Sequence, residues 1–239
     1  EWLSDFFERG QRGRRRIPVD YIAAYDKFLQ RYPSELRYAF GLAAAQERLN
    51  YDAPEMANTI LEIISYQGVP ENFENHTEFM RGLIALEQEK YDEAETLWEP
   101  ITKAVDDRYN RARAGFELTK MLLIQGKISK EEAILRLERL SHTWRGDYIE
   151  VDRLKLLGQL YIEEKKFFKG LKAWQKLVIG FPRTKEALFI AGKMKQTIIS
   201  LFDGGDVYDI PALEALALYF EFRELTPVGE QGDLSLIHI

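Results

Sequence analysis

The chain has 239 residues, of which 46% are hydrophobic and 30% are charged, and its formal net charge is −6. This composition indicates a water-soluble globular protein with a sizeable core, and the acidic balance argues against a general nucleic-acid binder. Cysteine is absent, which excludes disulfide bonds, zinc–thiolate sites and thiol nucleophiles but leaves the cellular compartment open. No apolar run reaches about 18 residues, so no membrane insertion is expected.

An arginine-rich stretch precedes the first long predicted helix. Five of the eight residues from 9 to 16 are arginine, which is compatible with a basic arm for phosphate groups or acidic protein. A solvated loop is the favoured interpretation, because no aromatic residue lies between the arginines as single-strand binding would require. Pro18 suits a helix N-terminus, and a helix is predicted over residues 19–32.

Two pairs of amphipathic helices are predicted next. Residues 35–49 and 54–66 form the first pair, and residues 77–105 contain the second. Gly41 and Gly82 have no side chain and are predicted to lie where the two helices of a pair approach closely. A weaker copy follows over residues 108–143, without a glycine at the corresponding position.

The clearest pair spans residues 151–182. Gly158 lies on the apolar face of its first helix, Gly170 and Trp174 lie on the second helix, and Pro182 ends the pair. Gly158 is predicted to admit the facing helix, and Trp174 to fill the space between the two. Such a hairpin cannot bury its apolar face alone, so it predicts neighbouring hairpins on both sides.

The helix-pair pattern resembles the tetratricopeptide repeat. The residues that carry the resemblance are Leu157, Gly158, Tyr161, Gly170, Trp174 and Pro182. The resemblance covers residues 18–225 and implies an all-α, right-handed superhelical solenoid of antiparallel helix pairs, about five hairpins without a sheet. The small anchor residues Ala94, Ala133 and Gly170 are 39 and 37 residues apart, whereas the usual period is about 34, so longer loops are expected.

The helices predicted over residues 185–202 and 210–225 lack clean repeat anchors and are only similar to the pattern. The strings WRGD and ALALYFEFRELTPVGEQGD also resemble a group of large, uncharacterised alphaproteobacterial tetratricopeptide-repeat proteins. This second resemblance implies a bacterial source, in cytoplasm or periplasm with the envelope favoured, and it carries no catalytic residue. Because the first residue is Glu1, residues 1–233 are interpreted as one repeat array from a longer protein.

The last six residues, 234–239, do not fit the repeat pattern. They form a short apolar run, LSLIHI, where another amphipathic helix is expected. The codons CTG TCT CTT ATA CAC ATC would encode them, and these resemble the end of a transposon adapter used for DNA libraries. The hexapeptide is therefore interpreted as a non-native tail, which a genomic locus encoding it in frame would contradict.

No catalytic residue, cofactor site or metal site is predicted, and the protein is not expected to be an enzyme. Neither a P-loop nor a dinucleotide fingerprint occurs, because no predicted strand precedes the glycines. The histidines His76, His142 and His238 are far apart and are interpreted as surface or cap residues. Asp203, Asp206 and Asp209 lack the alternation and the late glutamate of an EF-hand loop.

The predicted function is a scaffold that binds a peptide or a partner helix on the concave face of the array. If Gly41, Gly82 and Gly158 are equivalent, the positions three before, one after and five after each glycine point into that face. These positions are Tyr38, Leu42 and Gln46 in the first pair, Phe79, Leu83 and Glu87 in the second, and Lys155, Gln159 and Glu163 in the clearest pair.

The residue types on the predicted face favour an apolar ligand. Repeat domains that clamp a peptide carboxylate place lysine and asparagine at such positions, whereas only Lys155 would suit an anion here. An apolar segment, or a helix of the same protein, is therefore the expected ligand, unless neighbouring helices cover Tyr38, Leu42, Phe79 and Leu83. Two other functions stay open: a spacer or regulatory arm of a larger enzyme or envelope protein, and nucleic-acid binding through residues 9–16.

Overall fold

The computed structural model describes residues 33–203 and 210–225, and in these residues it contains ten α-helices and no strand. The predicted all-α fold is therefore confirmed for the described part of the chain. The predictions for residues 1–32, 204–209 and 226–239, which include the arginine-rich stretch and the terminal hexapeptide, lie outside the described residues.

The helices occur where the apolar periodicity predicts them. In chain order they are α1 Ser34–Leu49, α2 Pro54–Ser65, α3 Glu74–Glu87, α4 Tyr91–Ile101, α5 Arg108–Ile124, α6 Lys130–Leu140, α7 Asp147–Glu163, α8 Phe167–Gly180, α9 Lys185–Asp203 and α10 Ala212–Phe222. Short 3₁₀ turns over Glu71–Phe73 and Arg223–Leu225 adjoin α3 and α10. Some boundaries differ: α3 begins at Glu74 rather than at residue 77, and α10 is shorter than the predicted 210–225. The helix α7 begins at Asp147, before the predicted start at residue 151, and Asp147 Oδ1 accepts from the Ile149 N–H at 2.9 Å in its first turn.

The chain divides into two compact units, Glu1–Met121 and Leu122–Ile239. In the first unit α1 packs on α2 and α3 packs on α4, around Trp98, Tyr38 and Leu61. In the second unit α7 packs on α8 around Trp174 and Leu171. Each unit thus has its own apolar core.

Close helix approach at glycine is confirmed in both units. A Cβ built on Gly82 would lie 2.2 Å from the Trp98 indole, and one built on Gly158 would lie 2.2 Å from the Trp174 ring. No larger residue fits at either position without displacing the buried tryptophan. The indole N–H of Trp98 donates to the carbonyl of Phe79, and that of Trp174 donates to the carbonyl of Lys155, both at 3.1 Å.

Four helix C-termini share one turn geometry. After α1, α3, α5 and α7 a residue with positive φ follows, and these residues are Asp52, Glu89, Gly126 and Lys165. In each turn the next backbone N–H donates to a carbonyl five residues earlier, at 2.8 to 3.0 Å, which is the Schellman arrangement that ends a helix. The four positive-φ residues are 37, 37 and 39 residues apart, so the turn recurs with the chain's helix pairs.

Candidate functional site

Three residues of the predicted ligand face lie in the core of the first unit. Tyr38, Leu42 and Phe79 are 0%, 1% and 2% exposed. The Tyr38 hydroxyl donates to the carbonyl of Gly68 at 2.7 Å, and its ring stacks on Phe73 with centroids 5.7 Å apart. These side chains are therefore not exposed to a ligand, which corrects their assignment to an open face and supports the alternative that neighbouring helices cover them.

A buried arginine covers Phe79. Arg113 of α5 is 6% exposed, and its guanidinium carbon lies 4.0 Å from the Phe79 ring centroid. Its Nη2 donates to Gln46 Oε1 of α1 at 3.0 Å, and its Nη1 lies 3.0 Å from His76 Nε2 of α3. One guanidinium thus joins α1, α3 and α5.

His76 accepts the hydrogen bond from Arg113, so its ring proton lies on Nδ1. Burial, followed by the nearby charge of Arg113, lowers the pKa of His76 to about 3, and Asp107 opposes this only in part. The imidazole is therefore neutral near pH 7. Its interpretation as an ordinary surface or cap residue is wrong, because it is part of this junction.

The charge of Arg113 is balanced indirectly. No ion pair of Arg113 with a carboxylate occurs among the described residues, and its Nε is buried without a hydrogen-bond partner. Asn110 lies between the charges: its Oδ1 is 3.4 Å from Arg113 Nη1, and its Nδ2 donates to Asp107 Oδ2 at 2.7 Å. Since Arg113 is enclosed, this junction can hold helices together but offers no open cation to a ligand.

The other predicted positions of the first unit are more open. Gln46 and Leu83 are partly buried, and Glu87 is exposed. The Gln46 amide is already used, because it accepts from Arg113 and its Nε2 lies 3.4 Å from Asn50 Oδ1. Of the six positions predicted for this unit, Leu83 and Glu87 are therefore the ones with surface that is not already engaged.

The three predicted positions of the second unit lie together on α7. Lys155 and Glu163 are exposed and Gln159 is partly buried. Lys193 of α9 donates to Gln159 Oε1 at 2.8 Å, and Gln159 Nε2 donates to Glu163 Oε1 at 2.9 Å. A row of polar side chains therefore crosses from α9 to the C-terminal end of α7.

The row continues to α6 through an ion pair. Lys130 Nζ lies 2.7 Å from Glu163 Oε2. The hydrogen bond from Lys130 is the main cause that lowers the pKa of Glu163, and the same bond raises the pKa of Lys130. Both groups are thus charged at neutral pH. We call Lys130, Lys155, Gln159, Glu163 and Lys193 the polar α7 surface.

Sequence periodicity finds Lys155, Gln159 and Glu163 but misses Lys130, Lys193, His76 and Arg113. Lys130 and Lys193 belong to neighbouring helices, and their distance to α7 depends on packing. Arg113 has one usable sequence signal: it lies between the small residues Ala112 and Ala114, both of which are buried. Three consecutive buried residues indicate that α5 is covered on more than one side, which the small alanines permit.

The described residues contain no group of three His, Asp or Glu side chains placed to hold a metal ion. Within the same residues, no helix combines the length and apolar character that crossing a membrane requires. Comparisons of the chain with protein-family models, with curated proteins and with solved structures find no match.

Proposed function

We propose that this chain is a tetratricopeptide-type repeat protein, a right-handed solenoid of antiparallel helix pairs, which acts as a non-enzymatic scaffold for another protein. The recurrence of one helix-ending turn at intervals of 37, 37 and 39 residues supports a repeat. The matching glycine–tryptophan contacts of α3 with α4 and of α7 with α8 support equivalence of these pairs. Repeat proteins of this kind present extended binding surfaces.

The polar α7 surface is the proposed binding site, and the observation that carries the proposal is its row of linked polar groups, of which Lys130, Lys155 and Glu163 are exposed. Lys155 is exposed beside Gln159, which suits a carboxylate of a partner. The Gln159 amide is engaged on both sides, since it accepts from Lys193 and donates to Glu163, so Lys155 is the group that this surface offers to the partner. The ligand is accordingly a polar protein segment with acidic side chains rather than an apolar one.

Charge reversal at Lys155 tests the proposal. The 239-residue chain, Lys155→Glu and the matched control Lys195→Glu, which alters an exposed lysine of α9, are used to capture proteins from bacterial extract. We expect Lys155→Glu to lose a protein that the wild type and Lys195→Glu both retain, because the variant places a like charge opposite the partner's carboxylate. Equal capture by all three chains contradicts this site.

A photo-crosslinking residue shows where the captured protein lies. We expect a crosslink from position 159 on α7 and none from position 66, since Tyr66 belongs to the other unit and is 89% exposed. Crosslinks from position 66 alone would move the binding site to the first unit. An absence of crosslinks from both positions would favour the spacer or regulatory arm.

A further inference from the structure

A long basic stretch occurs in the second unit of this acidic chain. Residues 165–185 contain seven lysines and arginines and no aspartate or glutamate, although acidic residues outnumber basic ones 39 to 33 over the whole chain. The cations are Lys165, Lys166, Lys169, Lys172, Lys176, Arg183 and Lys185. Such a concentration of one charge on an oppositely charged protein predicts attraction of an anionic partner.

The seven cations differ in whether they already contact an acidic or aromatic side chain of the same chain. Lys172 forms an ion pair with Glu221 of α10, and Lys169 Nζ lies 5.6 Å from the Tyr161 ring centroid. In contrast, Lys176, Arg183 and Lys185 are exposed, and none of them forms an ion pair among the described residues. Three cations without an ion pair in the described part of the chain therefore lie where α8 ends and α9 begins, next to one carboxylate, Glu186 of the first turn of α9, whereas the exposed Lys166 lies at the other end of α8.

Large apolar side chains are exposed at the same end of this hairpin. Ile179, in the last turn of α8, is 71% exposed, and Leu188 and Phe189, in the first turns of α9, are 72% and 57% exposed. A Cβ added at Gly180 would meet no other atom within 4 Å, so the chain is open here as well. Single exposed apolar residues are common on protein surfaces, but several large ones gathered at one end of a hairpin and flanked by polar residues are typical of an interaction surface.

We propose that this end of the hairpin, the α8–α9 tip, docks on an anionic lipid bilayer. The tip consists of Lys176, Ile179, Arg183, Lys185, Leu188 and Phe189. Its cations are attracted to anionic headgroups, while its three apolar side chains enter the boundary between headgroups and acyl chains. The proposal is independent of the scaffold function.

A bilayer fits this surface better than the two other anionic macromolecules. An acidic peptide would use the cations but needs a groove for apolar contacts, and the described tip is the open end of a hairpin. Nucleic acid would also use the cations, yet its phosphates give exposed leucine and isoleucine side chains nothing to contact. Of these three partners, the bilayer is the one that can contact both the cations and the apolar side chains of the tip.

Vesicle sedimentation tests the proposal with the 239-residue chain. Vesicles of phosphatidylcholine alone are compared with vesicles of equal parts phosphatidylcholine and phosphatidylglycerol. We expect the chain to sediment with the anionic vesicles at low salt and to be released as salt rises, because salt screens the attraction. An absence of binding to anionic vesicles at low salt overturns the proposal, and so does equal binding to neutral ones.

Two triple variants separate the contribution of the cations to vesicle binding from that of the apolar side chains. We expect Lys176→Glu with Arg183→Glu and Lys185→Glu to weaken partitioning by about 100-fold or more, since each cation near an anionic surface contributes about fivefold. The matched control reverses Lys90, Lys103 and Lys195, which are exposed and change the net charge equally. Replacement of Ile179, Leu188 and Phe189 by serine should also weaken partitioning onto the vesicles. Replacement of the exposed Val105, Ile124 and Leu213 by serine should not.

Equal weakening by the tip variants and their controls overturns the proposal, because the effect would then be one of general charge or hydrophobicity. Binding to an oligonucleotide or to polyglutamate without binding to vesicles also overturns it. A variant that fails to fold is replaced by Phe189→Trp, whose added fluorescence brominated lipids should quench in anionic vesicles. Fluorescence at position 189 that is unaffected by brominated lipids overturns the docking geometry.

Discussion

Phe79 and Lys155 occupy the same position in their helix pairs but differ in exposure. Each lies three residues before the glycine at the helix crossing, and the carbonyl of each accepts a tryptophan N–H at 3.1 Å. Phe79 is nevertheless 2% exposed, whereas Lys155 is exposed. The Phe79 ring is covered by the Arg113 guanidinium of α5 and also stacks on Trp98, with ring centroids 6.0 Å apart. The repeat therefore determines the backbone environment of a position, and a neighbouring helix determines whether its side chain is accessible.

The largest expected difference in stability is between side-chain truncations at the two equivalent positions, 79 and 155. We expect Phe79→Ala to lower the free energy of unfolding of the first unit by about 3–5 kcal/mol, because it leaves a cavity beside Trp98 and Arg113. Lys155→Ala should change that of the second unit by no more than about 0.5 kcal/mol, since its side chain is exposed. Urea denaturation followed by tryptophan fluorescence measures both. Similar losses of unfolding free energy in the two variants would show that Phe79 and Lys155 do not differ in burial.

Removal of the covering cation should have the next largest effect. Arg113→Met leaves Gln46 Oε1 and His76 Nε2 without their donor, and an unsatisfied buried acceptor costs about 1–3 kcal/mol. Arg113→Lys should not restore stability, because an ammonium group cannot make the two planar hydrogen bonds while it stacks on Phe79. The control is Lys193→Met on the polar α7 surface, which should cost less than about 1 kcal/mol. Full rescue by lysine would contradict this role of the guanidinium.

Acid should destabilise the first unit through His76. Its pKa is about 3 in the folded chain and 6.5 as the ordinary value, so the unfolded chain binds the proton more readily. The contribution of the neutral His76 to the free energy of unfolding is fully present above pH 6.5. It is lost as the pH falls toward 3, and the loss is about 1–2 kcal/mol by pH 5.

The variant His76→Gln keeps an acceptor for Arg113 but does not titrate. We expect the melting temperature of the wild type to fall more steeply between pH 7 and pH 5 than that of His76→Gln. His142→Gln, which alters an exposed histidine of the second unit, should behave as the wild type does. Parallel curves for the wild type and His76→Gln would contradict the contribution of this histidine.

The smallest effect is expected on the polar α7 surface. The ion pair of Lys130 with Glu163 is exposed, so its attraction is screened by water and salt. We expect Lys130→Ala to leave the melting temperature unchanged at high salt and to lower it only slightly at low salt. A large, salt-independent decrease would indicate that this surface stabilises the fold, as the Arg113 junction does.

The helices and their crossings could be predicted because they depend on local sequence. Gly82 and Gly158 each precede a tryptophan by 16 residues, and a short turn brings the two residues together. The exposure of Tyr38 and Phe79 could not be predicted in this way. Tyr38 is covered by Phe73, and Phe79 is covered by Arg113 of α5. Arg113 is 67 residues from its hydrogen-bond partner Gln46, and α5 belongs to a weaker copy of the predicted repeat.

The polar α7 surface of the second unit shows the same limit of prediction from local sequence. Helical spacing placed Lys155, Gln159 and Glu163 on one face of α7, where the structure also has them. The spacing gave no information about Lys130 or Lys193, because both reach that face from other helices. Local pattern thus predicts which residues share a face, and long-range packing decides what lies against them.

The two buried indole hydrogen bonds provide the protein with a separate spectroscopic probe for each unit. Trp98 belongs to the first unit and Trp174 to the second, and each indole N–H is bonded to a helix carbonyl. Both protons should exchange slowly with deuterated solvent, and each should exchange only when its own hairpin opens. Their two nuclear magnetic resonance signals would therefore record whether the units open together or one before the other, in a single unmodified chain.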